Sequence, residues 1–310
     1  MKMFSTSFLL VFSAFLTSVS SASDFAKSDM ATTAMMENIG ITNNTIPKVV
    51  SEDLQVQGAQ DFVTVILQVD NLPLIRLFVK GPHGFLQDNN HSFRTFFMVT
   101  GFLTGAQSTS LLPLQPNTVY VAFDYPFDQK ALADDLSKVL QTFRITPSEV
   151  ALSLKWISTQ SWQKPEQTVA VGVSLGGLFL PASLHIAMKM NVAPAHTVFA
   201  FTGGDLGSII KNVLGSQLPS EVAEAAALVI PAINTLNDPP LHLPYLQGSF
   251  LVVRGDSDEI IPSSSTSKLY KLLPSPKKMV LLRGPHIDIG KQALIDKTGE
   301  AILDWLKNNP

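Results

Sequence analysis

Val169-Ala170-Val171-Gly172-Val173-Ser174-Leu175-Gly176-Gly177 is the stretch on which the reading of this chain turns. A short β-branched run enters a Gly-x-Ser-x-Gly turn, and a helix-compatible segment follows. A strand that turns sharply into a helix lifts the serine hydroxyl clear of a sheet edge. The flanking glycines remove Cβ atoms where strand, turn and helix crowd each other. The same five-residue pattern also occurs in ordinary loops, so its meaning rests on what the rest of the chain supplies.

Working outward, composition narrows the classes. The chain has 310 residues, enough for one large α/β domain or two small ones, with a formal net charge of −3 and no basic run of the kind that tracks nucleic acid. It contains no cysteine, which excludes thiolate nucleophiles, thiolate metal sites and disulfides. At the N-terminus Lys2 precedes an apolar stretch over 8–16, and Ser20-Ser21-Ala22 offers a small-residue cleavage site. Residues 1–22 are read as an export signal whose apolar stretch is shorter than a bilayer-spanning helix needs, giving a periplasmic or secreted protein. Asn43-Asn44-Thr45 and Asn90-His91-Ser92 fit the acceptor pattern for glycosylation in a host that glycosylates.

Residues 23–52 are rich in Ser, Thr, Asn and Met without a sustained period and read as a linker or N-terminal arm. Strand-like runs follow at 62–69 and 74–79, with Asp70-Asn71 as a hairpin turn between them. Further strands are expected at 95–99, 119–123, 197–202, 250–253 and 279–282. Helical spacing covers 130–143, and Thr146-Pro147-Ser148-Glu149 reads as a fresh helix start, with Thr146 as N-cap and Glu149 closing a capping box. Helices are also expected at 178–190, with Pro181 in the first turn, and at 293–306. The segment 205–246 breaks the alternation and reads as a small helical cap inserted above the sheet. The expected fold is α/β: a mostly parallel mixed sheet with helices on both faces, in one catalytic domain over 53–310.

Three local patterns, in order, resemble the α/β-hydrolase superfamily from about residue 62 to the C-terminus. The first is the serine turn at Ser174. The second is Gly255-Asp256-Ser257-Asp258-Glu259-Ile260-Ile261-Pro262, which is similar to that superfamily's acid loop. The third is Gly284-Pro285-His286, where its histidine falls. The resemblance implies Ser174 as nucleophile, His286 as general base and Asp258 as the acid, with Asp256 the next choice and Asp205 at a second place where these enzymes keep one. Asp288 lies too close to His286 in sequence. The chemistry explains the trio. A serine hydroxyl is a weak nucleophile until an imidazole takes its proton, and a buried carboxylate fixes the imidazole's tautomer. The other histidines, 83, 91, 185, 196 and 242, stand in less suitable places; those at 185 and 196 are expected to pack or cap.

An oxyanion hole needs two N–H groups. Leu175 supplies one, and the loop after the 95–99 strand the other. That loop reads Thr100-Gly101 where the superfamily often has His-Gly, so Phe102 is the choice and Leu103 the alternative. Tyr125, Pro126 and the apolar face of the 205–246 insertion are candidate pocket walls. The resemblance implies an exported serine hydrolase acting on a small-molecule ester or acyl substrate. It implies no metal or organic cofactor, while the charge pattern and the short apolar N-terminal stretch give no nucleic-acid partner and no stable membrane span after signal removal. The rival readings are a serine peptidase of the same fold and a catalytically silent hydrolase-like binding protein; Gly172-Val173-Ser174-Leu175-Gly176-Gly177 also resembles the dienelactone-hydrolase and prolyl-oligopeptidase-like branches.

Overall fold

The structure is a computed structural model that describes residues 24–70, 72–101, 104–125, 136–215, 224 and 235–309. One nine-stranded sheet runs through them: β1 (Lys48–Gln57), β2 (Gln60–Gln68), β3 (Ile75–Pro82), β4 (Phe93–Val99), β5 (Thr118–Asp124), β6 (Gln163–Val173), β7 (His196–Ala200), β8 (Ser249–Gly255) and β9 (Lys277–Leu282), in the order β1-β2-β3-β5-β4-β6-β7-β8-β9. The first three strands pair antiparallel and β3 meets β5 antiparallel; from there to β9 every pairing is parallel. β2 alternates between half-buried and buried positions, as one-sided packing requires. The central strands are buried on both faces, which is why they read as continuous apolar runs.

Six longer helices, α1 (Asp24–Glu37), α2 (Leu136–Ile157), α3 (Leu175–Lys189), α4 (Leu206–Gly215), α5 (Ser263–Leu272) and α6 (Gln292–Lys307), surround this sheet. Alternation divides the core. Phe97, Val99, Ala170, Phe199 and Val252 face one side with α1, α2, α3 and α5. Phe96, Met98, Val171, Val198 and Val253 face the other, where α6 packs through Leu294, Ile302, Trp305 and Leu306. Among the described residues, no helix is long and apolar enough to cross a membrane.

Three expectations need correction. Residues 23–52 are not a loose arm: they hold α1 and the start of β1, and Ala31, Met35, Met36 and Ile41 are buried. The sequence hides this because α1 docks through polar groups. Ser28 Oγ and Thr32 Oγ1 lie 3.0 and 3.1 Å from His185 Nδ1 on α3. His242 Nε2 donates to the Leu236 carbonyl at 2.7 Å, so its Nδ1 accepts from His185 Nδ1–H, 3.1 Å away. Burial holds the His242 imidazole neutral, its pKa pushed down to about 4. β1 was unreadable for a different reason: every one of its residues is exposed, so no burial pattern marks it. α3 also begins earlier than expected, directly after Ser174, which leaves Pro181 inside the helix rather than in its first turn.

The third correction concerns Thr146. No helix starts there: α2 runs unbroken through Pro147. An interior proline forfeits a backbone bond and costs about 3 kcal/mol, but the 146–157 face is buried almost completely, and that burial decides. Val150, Leu154 and Ile157 continue the apolar stripe, and Lys155 Nζ donates to the Met190 carbonyl at the end of α3. The supposed capping residues pack inward instead. Thr146 Oγ1 and both carboxyl oxygens of Glu149 are buried without a hydrogen-bond partner. Burial raises Glu149 to a pKa of about 8, so it is uncharged at neutral pH.

An acid whose folded-state pKa lies above its unfolded value gives stability that is lost as pH rises between the two. Wild type therefore loses stability between about pH 4.5 and 8 through this group. Glu149→Gln removes that slope, and urea unfolding at pH 5 and pH 8 should show the variant's advantage growing with pH, by a few kcal/mol.

Candidate active site

β6 ends in Val173, and Ser174 turns the chain into α3 with φ 54 and ψ −121. A positive φ is unusual for a residue with a Cβ and costs about 1–3 kcal/mol unless the surroundings enforce it. Here they do. Ser174 N–H donates to the Ala200 carbonyl at the end of β7 at 2.9 Å, and Gly177 N–H closes the turn on Ser174 O at 3.1 Å. A Cβ on Gly176 would overlap the Val99 carbonyl, so the first turn of α3 lies directly against the end of β4.

β8 and β9 deliver the partners. Ser174 Oγ lies 2.8 Å from His286 Nε2, and both Asp258 oxygens lie 3.0 Å from His286 Nδ1. Asp258 Oδ1 also accepts the N–H groups of Ile260 and Ile261, at 3.0 and 2.8 Å. Its side chain is 5% exposed and that of His286 11%. With Asp258 accepting at Nδ1–H, Nε2 is left unprotonated and faces the serine hydroxyl.

The rival acids have other work. Asp256 is exposed and its Oδ1 accepts Gly284 N–H at 2.9 Å, tying the acid loop to the histidine loop. That bond, followed by one from Ser257, holds its pKa down. Asp205 caps α4 through Ser208 N–H at 3.2 Å and pairs with Lys268. Asp288 pairs with Lys291. Glu259 and Lys291 escaped the sequence reading. Glu259 Oε2 accepts His286 N–H at 2.9 Å, which lowers its pKa, and Lys291 Nζ donates to His286 O at 2.7 Å. The signal for Glu259 was its place beside Asp258 in a loop that must reach the histidine.

No family model matches this chain, and no curated protein matches it by sequence. Solved structures do match in shape. An acetyl xylan esterase from Paenibacillus sp. R4 superposes with TM-score 0.68 at 12% identity, over 94% of this chain and 96% of that one. Acetyl xylan esterase 1 from Thermoanaerobacterium sp. JW/SL YS485 gives 0.61 at 13%, over 86% and 91%. A prolyl endopeptidase gives 0.53 at 16%, over 73% of this chain and 35% of that one. The strand order and these likenesses agree. This chain has the α/β-hydrolase fold.

Other α/β-hydrolase features expected from the sequence divide into those seen and those displaced. Leu175 opens α3, where the first N–H groups have no intrahelical acceptor. Phe102, Leu103 and Pro126 lie outside the described residues. Tyr125 is no pocket wall. It is 4% exposed, stacks edge-on to Phe123, and its hydroxyl donates to the Thr100 carbonyl at 2.8 Å. Burial, reinforced by Glu149, raises its pKa. It is a pillar beneath the loop that follows β4. A cavity of about 420 Å³ opens at Ser174 and His286, bounded by Thr100, Gly101, Leu175 and Ile287. No described residue of the 205–246 insertion lines it. Instead Leu206 and Ile209 of α4 join Leu178 and Ile261 in a small core beside the acid loop.

Gly176→Ala should be destabilising by about 3 kcal/mol or more, because the clash is with backbone that cannot rotate away. Urea unfolding, or loss of soluble protein, measures it.

Proposed function

We propose that this chain is a serine ester hydrolase, with Ser174 as nucleophile, His286 as general base and Asp258 as the acid that orients it. The observation that carries the reading is the 2.8 Å approach of Ser174 Oγ to His286 Nε2, on a serine held at positive φ beside an apolar cavity. Nε2 takes the hydroxyl proton as Oγ bonds to the ester carbonyl carbon. The tetrahedral oxyanion is met by Leu175 N–H and a second N–H from the loop after β4, for which Phe102 is the proposed donor. Collapse expels the alcohol, which receives the proton from Nε2, and leaves an acyl group on Ser174. Water then repeats the sequence, with His286 again accepting and returning one proton, and releases the acid. Asp258 stabilises the imidazolium at each stage without being protonated itself. The cap over 205–246 and export through residues 1–22 belong to this proposal, with a small-molecule ester as the substrate met outside the cytoplasm.

A fluorophosphonate probe should label wild type and leave Ser174→Ala unlabelled; labelling that survives the substitution would contradict the assignment. Nitrophenyl esters should be turned over faster than aminoacyl anilides, and the opposite order would make it a peptidase. For the acid, Asp258→Asn should lower kcat by about 10³–10⁴-fold. Asp256→Asn touches no reacting group and should cost less than about tenfold. The reverse ranking would overturn the choice of Asp258.

A further inference from the structure

The sheet face opposite α1, α2, α3 and α5 is thinly covered. A parallel crossover ordinarily carries a helix that blankets the strands it joins. Among the described residues, the one between β4 and β5 holds a 3-10 turn, Gly105–Gln107, and a single helical turn, Ser108–Leu111. Among the described residues a strip of sheet is therefore left between that turn and α6, and none of them fills the space above it. A second cavity of about 380 Å³ follows the one at Ser174, and both are bordered by Met98, Leu112, Val171, Gly299 and Ile302. These five residues stand between the two as a shared neck. The far end is reached at Asp296 and Glu300, both exposed on α6.

The walls beyond the serine are mostly hydrocarbon; Thr100 Oγ1, beside the serine, is buried without a hydrogen-bond partner, but three of the hydroxyls further along are engaged. Ser108 Oγ donates to Gly105 O at 2.7 Å, Thr298 Oγ1 to Leu294 O at 2.7 Å, and Tyr120 to Pro113 O at 3.1 Å. A sugar or peptide would find no free polar partner among these hydroxyls, whereas an alkyl chain needs none. The neck is preformed. Lys80 Nζ donates to the carbonyls of Thr109 and Leu112, at 3.2 and 3.1 Å, and pins the crossover turn in place. On the opposite wall stands Gly299, an interior residue of α6, where glycine is among the least favourable choices for a helix. A Cβ there would sit 3.4 Å from Leu112 Cδ2, in van der Waals contact, so Gly299 and Leu112 nearly close one side of the neck and Met98, Val171 and Ile302 line the way past them.

The passage also has a length. Phe96 pairs in register with Val169, five residues before Ser174; at ~3.3 Å per residue that level lies ~16 Å away. An extended alkyl chain, with C–C bonds of ~1.5 Å, advances ~1.25 Å per carbon. We propose that the two cavities form one acyl-chain channel, taking a linear uncharged acyl group of about eight to twelve carbons from the carbonyl at Ser174 toward the rim at Glu300. The carboxylates at that rim disfavour a chain ending in its own carboxylate. The proposal rests on the reading of Ser174 as nucleophile and deepens it by naming the acyl class.

The test is the chain-length profile of the full chain on nitrophenyl acetate, butyrate, octanoate, decanoate and laurate, all kept at monomeric concentrations. Each methylene that enters the channel adds up to about fourfold in binding, so kcat/KM should rise at least about tenfold from acetate to decanoate. Gly299→Leu, which plugs the neck, should lower the decanoate-to-acetate ratio at least about tenfold on the same basis. If that variant does not fold, Leu112→Trp plugs the neck from the opposite, half-exposed wall. A folded plug variant with an unchanged ratio, or wild type that cleaves acetate with no gain on decanoate, would overturn the channel and leave the esterase reading standing. Absence of turnover on every ester, together with absence of fluorophosphonate labelling, would remove the nucleophile and the channel with it.

Discussion

The close approach of α3 to the end of β4, with Gly176 lying against the Val99 carbonyl, is the constraint on which the site depends. A side chain at 176 would push the helix away from the sheet and let Ser174 relax out of its positive φ. With glycine there, the turn is held between β4 on one side and the Ala200 carbonyl of β7 on the other. The same approach sets the first turn of α3 against Thr100, in the loop that follows β4. Strain at the serine is thus maintained by bonds and contacts spread over three strands.

The histidine and acid reach this serine because β8 and β9 end at the same edge of the sheet as β6. Their loops are bound to each other through Asp256 and Gly284 and through Glu259 and the backbone of His286. These exposed carboxylates hold the loops together, while the buried Asp258 holds the imidazole. The two faces of the sheet are built unequally. One is covered by four helices and tolerates buried polar groups such as Glu149 and the His185–His242 pair. Among the described residues the other is covered by α6 and a short crossover, and both cavities lie on it.

Much of this was legible in the sequence because its signals were local. The strand into Gly172-Val173-Ser174, the acid loop and Gly284-Pro285-His286 each carry their own turn chemistry, and the structure brings all three together. The parallel strands announced themselves as apolar runs because both faces are covered. What stayed hidden depends on tertiary partners. α1 is tied down where the Ser28 and Thr32 hydroxyls pack within about 3 Å of a histidine more than 150 residues away in the chain, which no local period records. Thr146 and Glu149 carry the composition of a helix cap, yet burial of the 146–157 face carries α2 straight through them. Tyr125 looked like a pocket residue because an aromatic after a strand can face either way, and only the Thr100 carbonyl decides which. The cavity beside Gly299 had no signal apart from a glycine at an interior helix position.

In the proposed reaction Ser174 carries the acyl group. Rapid quenching of the protein during turnover of a nitrophenyl ester, followed by peptide mass spectrometry, tests it most directly. One acyl mass should be added to the peptide containing Ser174, growing with the acyl length of the ester used, and absent after hydrolysis is complete. Turnover accompanied by an acyl group on a different residue would contradict it.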